Sequence, residues 1–374
     1  MTGFAETISA AYATEGEAID LGRGVREGTL HRDAVVRVPL ATMNRHGLVA
    51  GATGTGKTKT LQLLSEQLSR AGVPVLVGDV KGDVSGLAAP AEAGGAGAKR
   101  MAELGLPFAP QAFPVEFLAL GGLGPGVPLC ATVSDFGPQL LAKVLEANET
   151  QESSLALVFH YADEKGLPLL DLEDLRALLT FLDSDAGRPE LEGIGGLSSA
   201  TVGVLLRALV GLETGGGREL FGEPQFDVAD LLRTARDGRG VISCVELAAV
   251  QDKPALWSTA LMWLVAELFE SLPEEGDLPK PKLVVFLDEA HLLFDDATEA
   301  FLDSLARTVR LIRSKGVASS SSRSSRRTSP TRCSPSSGCA YSTRCGRSRR
   351  RMPRSCARPS RPTRARRSTT SRRC

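Results

Sequence analysis

Gly51-Ala52-Thr53-Gly54-Thr55-Gly56-Lys57-Thr58 has the residue types and spacing that hold a phosphate chain. Glycines allow successive backbone N–H groups to turn inward on phosphate oxygens with no side chain in the way. A lysine at the seventh position would neutralise the β- and γ-phosphates, and the Thr58 hydroxyl would ligate Mg²⁺. The bland alternative is a glycine-rich turn that binds nothing. It is disfavoured because the loop sits between a short apolar run, Gly47 to Ala50, and a segment from Lys57 to Ala71 with Leu61, Leu63, Leu64 and Leu68 at helical spacing.

A second constellation lies far along the chain. Leu283 to Leu287 is an apolar strand pattern closed by Asp288-Glu289. Beside bound phosphates, the first carboxylate would hold the metal shell and the second would polarise the attacking water. Alone, two acids after a strand are as readily a helix cap. Asp79 ends the strand pattern Val73 to Gly78, on the edge where open α/β sheets bind ligands. It could reach the metal or the water, or organise an Asx-type turn. Arg307, Arg310 and Arg313 recur at three-residue spacing on a helical pattern, which gives a solvated stripe or one arginine for a neighbouring subunit's γ-phosphate.

The elements that must position these residues alternate between apolar runs and helical patterns from Gly47 to Val317, as in a parallel sheet wrapped by helices. The segment from about 105 to 239 is largely helical by pattern, with Pro138–Glu146, Leu172–Leu182 and Ser198–Leu212 as candidate helices, and looks like an insertion into the core. This division expects an amino-terminal segment over 1–34, an ATPase-type core over 35–317 and a separate tail over 318–374.

Composition bounds the rest. The 374 residues carry 44 basic and 44 acidic groups. Seventeen of the basic residues, all arginine, lie between Ala318 and Cys374, where no acid occurs, so Met1 to Val317 holds 27 basic against 44 acidic groups, a net of −17. The most apolar stretch, Leu256 to Phe269, is shorter than the roughly 20 residues a membrane span requires, and no secretory segment opens the sequence, so a cytoplasmic protein is expected. Cys130 and Cys244 lie in apolar surroundings and read as reduced core thiols; the remaining five cysteines are in the tail, and no spacing suggests zinc. The tail is either an arginine/serine arm for nucleic-acid phosphates or text translated out of frame. Absence of lysine and scattered cysteine favour the second reading. Shifted by one register, Ser319 to Ser325 permits FFVTQL, an apolar strand ending in Thr-Gln.

The runs GLVAGATGTGKTKTLQLL, LVGDVKGDVSGLA, ANETQE, FGEPQFDVADLL, VVFLDEAHLLF and RTVRLIRSKGV together resemble the HerA-like helicase/translocase ATPases of the HerA/FtsK superfamily, most closely a bacterial branch known as a domain of unknown function. The resemblance covers nearly all of residues 25 to 317. It implies a RecA-like P-loop core, hydrolysis of ATP with Mg²⁺ at subunit interfaces, and a hexameric ring threading DNA. Lys57, Thr58, Asp288 and Glu289 match the family's two Walker motifs, Asp79 matches its acid after the second strand, and Arg313 aligns best with its arginine finger. The amino-terminal β-barrel of archaeal members is expected to be missing, since too few residues precede the glycine loop. The next family strand ends in a Thr-Gln sensor where this chain has Ser and Arg, so loss of the sensor and the last strands is expected, with weak ATP binding or failure to fold as the consequence. Asp288-Glu289-Ala290-His291 also invites a DEAH-box reading, but the other motifs of that family are missing. A stronger rival is a nucleotide-binding regulatory or assembly protein without motor activity, because the body is acidic and shows no DNA-reading element.

Overall fold

A computed structural model describes residues 3–52, 54–276, 278–289, 307–309, 311–323 and 339–342. The chain opens with helix α1 (Phe4–Ala11) and an antiparallel hairpin of β1 (Ala18–Arg26) and β2 (Thr29–Pro39). The hairpin turns on Glu27 and Gly28, both at positive φ (52° and 82°), the handedness a two-residue loop needs to match strand twist. It is pinned to the core by a reciprocal amide pair: Asp20 N–H donates to Gln67 Oε1 and Gln67 Nε2 donates to Asp20 O, each at 2.8 Å.

Then come β3 (Gly47–Ala50), α2 (Lys57–Arg70), β4 (Val75–Asp79), α3 (Ala96–Leu104), β5 (Val115–Leu120) and β6 (Val127–Leu129). A helical lobe follows: α4 (Val133–Val144), α5 (Glu149–Lys165), α6 (Leu172–Leu182), α7 (Ser199–Leu212) and the single turn α8 (Arg218–Leu220). The chain re-enters the sheet with β7 (Ile242–Glu246), α9 (Pro254–Ser271), β8 (Leu283–Leu287), β9 (Val317–Arg323) and β10 (Cys339–Ser342). The main sheet has the order β10-β3-β9-β8-β4-β7-β5-β6, and every neighbouring pair is parallel.

Side chains alternate across this sheet. Val75 and Val77 of β4 and Val284 and Phe286 of β8 join α2 and the hairpin in one core; Leu76, Leu283 and Val285 face the helical lobe in the other. Burial on both faces is why β4 is buried along its whole length and reads as an apolar run. In the lobe, side-chain caps from Asn148, Asp171 and Ser198 start α5, α6 and α7. Trp263 of α9, buried, donates its indole N–H to Asp135 of α4 at 2.9 Å, tying lobe to sheet. No described helix is long and apolar enough to cross a membrane; the stretch Leu256 to Phe269 lies within α9.

The segment 105–239 is largely helical, as expected, and it also gives β5 and β6 to the sheet, through parallel pairing of β5 with β7. The sheet also does not end at residue 317. The serine-rich segment forms β9 between β3 and β8, and β10 lies against the other side of β3. The ladder uses only backbone N–H and C=O, so small polar side chains can fill a slot open on both sides. Ala318, Ser320 and Ser322 are buried there.

Candidate nucleotide-binding site

In a parallel sheet all strands end on the same edge. The glycine loop leaves β3, Asp79 closes β4, Asp288 and Glu289 follow β8, and Ser322 lies near the end of β9. Parallel topology thus gathers groups from four strands, and the central position of β4, β8 and β9 keeps water from most of them.

The loop after β3 enters α2 through Gly54 and Gly56, at φ +77° and +97°. A Cβ added at either would meet nothing within 4 Å, so the constraint is the left-handed backbone and the open cradle in front of it. Thr55 secures the turn: its N–H and hydroxyl both donate to Ala52 O, at 3.2 and 2.7 Å. Gly56 caps α2, so the unpaired N–H groups of its first turn and their partial positive charge face the cradle. Gly51, Ala52 and Thr58 are half-buried. Thr53 lies outside the described residues. Lys57 is buried, with Nζ 3.5 Å from Ala52 O and 3.6 Å from Glu289 Oε1.

Asp288 is 1% exposed. Its Oδ1 accepts from the Ser322 hydroxyl and from Glu289 N–H (3.0 Å), while Oδ2 is buried with no hydrogen-bond partner among the described residues. Burial pushes its carboxyl above the ordinary carboxylate range; the Ser322 hydrogen bond opposes this, and the nearby charges of Glu289 and Asp79 add to it. An orphaned, anion-disfavouring oxygen is what a divalent cation would satisfy. Glu289 has φ +46°, uncommon for a side-chain-bearing residue, and its N–H is held by Ser322 Oγ at 2.8 Å. Its Oε1 lies 2.9 Å from Lys81 Nζ and 3.6 Å from Lys57 Nζ.

Asp79 is fully buried, but its oxygens are engaged locally. Oδ1 accepts from the N–H groups of Lys81 (3.2 Å) and Gly82 (2.9 Å), and Oδ2 from Val84 (2.7 Å). This is the Asx-type arrangement, and it makes Asp79 the organiser of the loop after β4. Asp79 also lies within 4.8 Å of Cys244 Sγ and a Glu246 oxygen. Burial first, and then the two carboxylates, push the Cys244 thiol well up, so it remains protonated and points to Glu246 Oε1 at 3.9 Å. Cys130 and Cys244 are both buried and unpaired, as expected for core thiols.

Arg313 is elsewhere. It opens the turn before β9, and its charge adds to burial, the larger cause, in lowering the pKa of His46, the residue that precedes β3. Arg313 therefore stands at the strand-start edge, while the glycine loop leaves the strand-end edge, so it does not serve its own chain's loop. Arg307 is exposed; Arg310 lies outside the described residues.

Two site residues had no role assigned from sequence. Lys81 sits inside the run Val77 to Asp83, and its spacing from Asp79 carries no signal for a partner 208 residues away. Ser322 belongs to the serine-rich run that stands where the family has its Thr-Gln sensor: the expected loss of the last strands is corrected, because β9 and β10 join the sheet and β9 delivers the Ser322 hydroxyl to Asp288.

The family described as Helicase HerA-like C-terminal matches residues 25–319. No curated protein matches. Among solved structures, the plasmid coupling protein TrwB in complex with the ATP analogue ADPNP is similar with a TM-score of 0.52 at 19% identity, over 85% of this chain and 70% of that one. TrwB in complex with ADP and Mg²⁺ gives 0.52 and 19%, over 85% and 69%. VirB4 of Thermoanaerobacter pseudethanolicus gives 0.51 and 15%, over 83% and 77%. At these identities the likeness is one of fold, and it agrees with a RecA-like P-loop core built on the parallel sheet.

Proposed function

The chain belongs to the HerA-like C-terminal family of helicases, and from that premise we propose that it is a Mg²⁺-dependent ATPase that moves DNA as a homo-oligomeric, hexameric ring in the cytoplasm. The observation that carries the ATPase reading is convergence: Lys57 of the glycine loop and Glu289 of the acid pair approach to 3.6 Å beside the orphaned Asp288 oxygen.

The residues fit the nucleotide and the metal. Gly54 and Gly56 leave open space where phosphates would lie, and Asp288 Oδ2 needs a cation. Bound Mg²⁺ would supply positive charge to the phosphate oxygens. Lys57 would neutralise the β- and γ-phosphates, and backbone N–H groups of Gly51 through Thr58 would donate hydrogen bonds to their oxygens. Thr58 and Asp288 would hold the metal shell. Glu289 would orient the attacking water and take its proton, in a site that burial keeps largely dry. Asp79 would act by fixing the loop after β4, and Arg313 would reach the γ-phosphate of an adjacent subunit. TrwB complexes with ADPNP and with ADP and Mg²⁺ support this choice of ligands.

The acidic body favours a second reading, a regulatory or assembly ATPase without DNA motor activity. ATP turnover measured with and without linear double-stranded DNA separates the two. DNA stimulation that is lost in Lys57→Ala is expected for the motor; turnover indifferent to DNA would leave the regulatory reading.

A further inference from the structure

We propose that Lys81 is a latch on Glu289, holding the carboxylate in an ion pair until a phosphate anion draws the ammonium away. The latch regulates the ATPase site proposed above and rests on that reading.

The acceptor is shared. Glu289 Oε1 faces Lys81 at 2.9 Å and Lys57 at 3.6 Å, on a side chain only 3% exposed. The two lysines differ in what they can do next. Lys57 is 6% exposed and anchored at the first residue of α2, where phosphates would claim it. Lys81 is 43% exposed and open to solution.

The backbone under Lys81 cannot drift. Asp79 accepts the N–H groups of Lys81, Gly82 and Val84, and the Gln251 side-chain amide donates to Val80 O. With the chain held on both sides, the flexible, half-exposed lysine stem is the part of Lys81 that can swing to open the ion pair. The hydrogen bond to Glu289 raises the Lys81 pKa, with the charges of Glu289, Asp288 and Asp83 adding, so the ammonium stays charged and is released by a competing anion, not by losing its proton.

An ammonium bonded to a carboxylate stabilises its anionic form and so weakens it as a base toward water, which raises the barrier while the latch is closed. Glu289 is also held in a left-handed conformation by its N–H bonds to Ser322 and Asp288, so the latched side chain belongs to a constrained backbone. Two sources present the right chemistry to Lys81: the γ-phosphate of the nucleotide and the backbone phosphates of DNA.

Steady-state ATP hydrolysis by the full chain, with Lys81→Met and Lys81→Arg, tests the latch. Removing the charge while keeping the stem is expected to raise kcat/KM without DNA roughly three- to tenfold, the range for losing one half-exposed ion pair; Lys81→Arg is expected to stay near wild type. Damage to the fold would lower the rate, so a rise is specific. If DNA phosphates open the latch, Lys81→Met has raised kcat and no further DNA stimulation. If the γ-phosphate opens it, KM for ATP falls while kcat holds. Unchanged kinetics, or a lower kcat at unchanged nucleotide affinity, overturns the latch. Should neither protein turn over, calorimetric Mg²⁺-ATP binding decides what fails: binding without turnover in Lys81→Met overturns the latch alone, and no binding overturns the ATPase reading with it.

Discussion

Ser322 and Asp288 are joined hydroxyl to carboxylate, so the serine-rich segment closes the acid pair of the site. The same oxygen receives the N–H of Glu289 at 2.8 Å, and one hydroxyl thereby orients both acids. Ser322→Ala would leave a buried N–H and a buried carboxylate short of one partner each. It is expected to cost about 1–3 kcal/mol of stability by urea unfolding, and to lower ATP turnover more than nucleotide affinity. Ser322→Thr, which keeps the hydroxyl, should retain most of both.

Asp288 is expected to make the site's stability depend on pH and on metal. Its folded pKa is raised above the ordinary 3.8, so the folded chain holds the proton more tightly than the unfolded chain does. That contribution is complete below the unfolded value and is lost as pH rises through the elevated one. At neutral pH the ionised group opposes folding, and a divalent cation at Oδ2 would offset this. Mg²⁺ should therefore raise the Tm of the wild type at neutral pH and leave Asp288→Asn unmoved. In chelator, Asp288→Asn should be at least as stable as the wild type; a clear loss of Tm would sink the metal assignment.

Asp79 separates local organisation from metal binding. Asp79→Ala removes the acceptor of three buried or half-buried N–H groups and is expected to destabilise the chain by about 2–4 kcal/mol in urea unfolding. If its role is the loop, Asp79→Asn should recover part of that loss, and Mg²⁺ should still raise the Tm of the refolded variant. Loss of the Mg²⁺ response at intact stability would instead place Asp79 on the metal.

Arg313 acts, in the proposed ring, on a neighbouring site. Arg313→Ala is expected to bind nucleotide like the wild type and to hydrolyse ATP at least tenfold more slowly, in line with an arginine finger. Mixing it with Glu289→Gln, itself inactive, should restore some turnover, because hybrid interfaces combine an intact Arg313 with an intact Glu289. Absence of recovery in verified mixed oligomers would refute action in trans.

Contiguity explains what was legible beforehand. The glycine loop, Lys57 and Thr58 form a phosphate-loop pattern within eight successive residues, and its strand-to-helix context is read from local periodicity. The acid pair was legible for the same reason, as the end of an apolar strand. So was the parallel α/β architecture, because a strand buried on both faces must be apolar throughout. Tertiary structure decided the rest. Parallel pairing set β5 and β6 into the sheet and opened a slot that serine-rich backbone could fill, since ladders bond main chain to main chain. It put Lys81 against Glu289 across 208 residues, turned Asp79 onto its own loop, and left Arg313 at the edge opposite the glycine loop. Those are properties of strand order and strand direction, which no local spacing encodes.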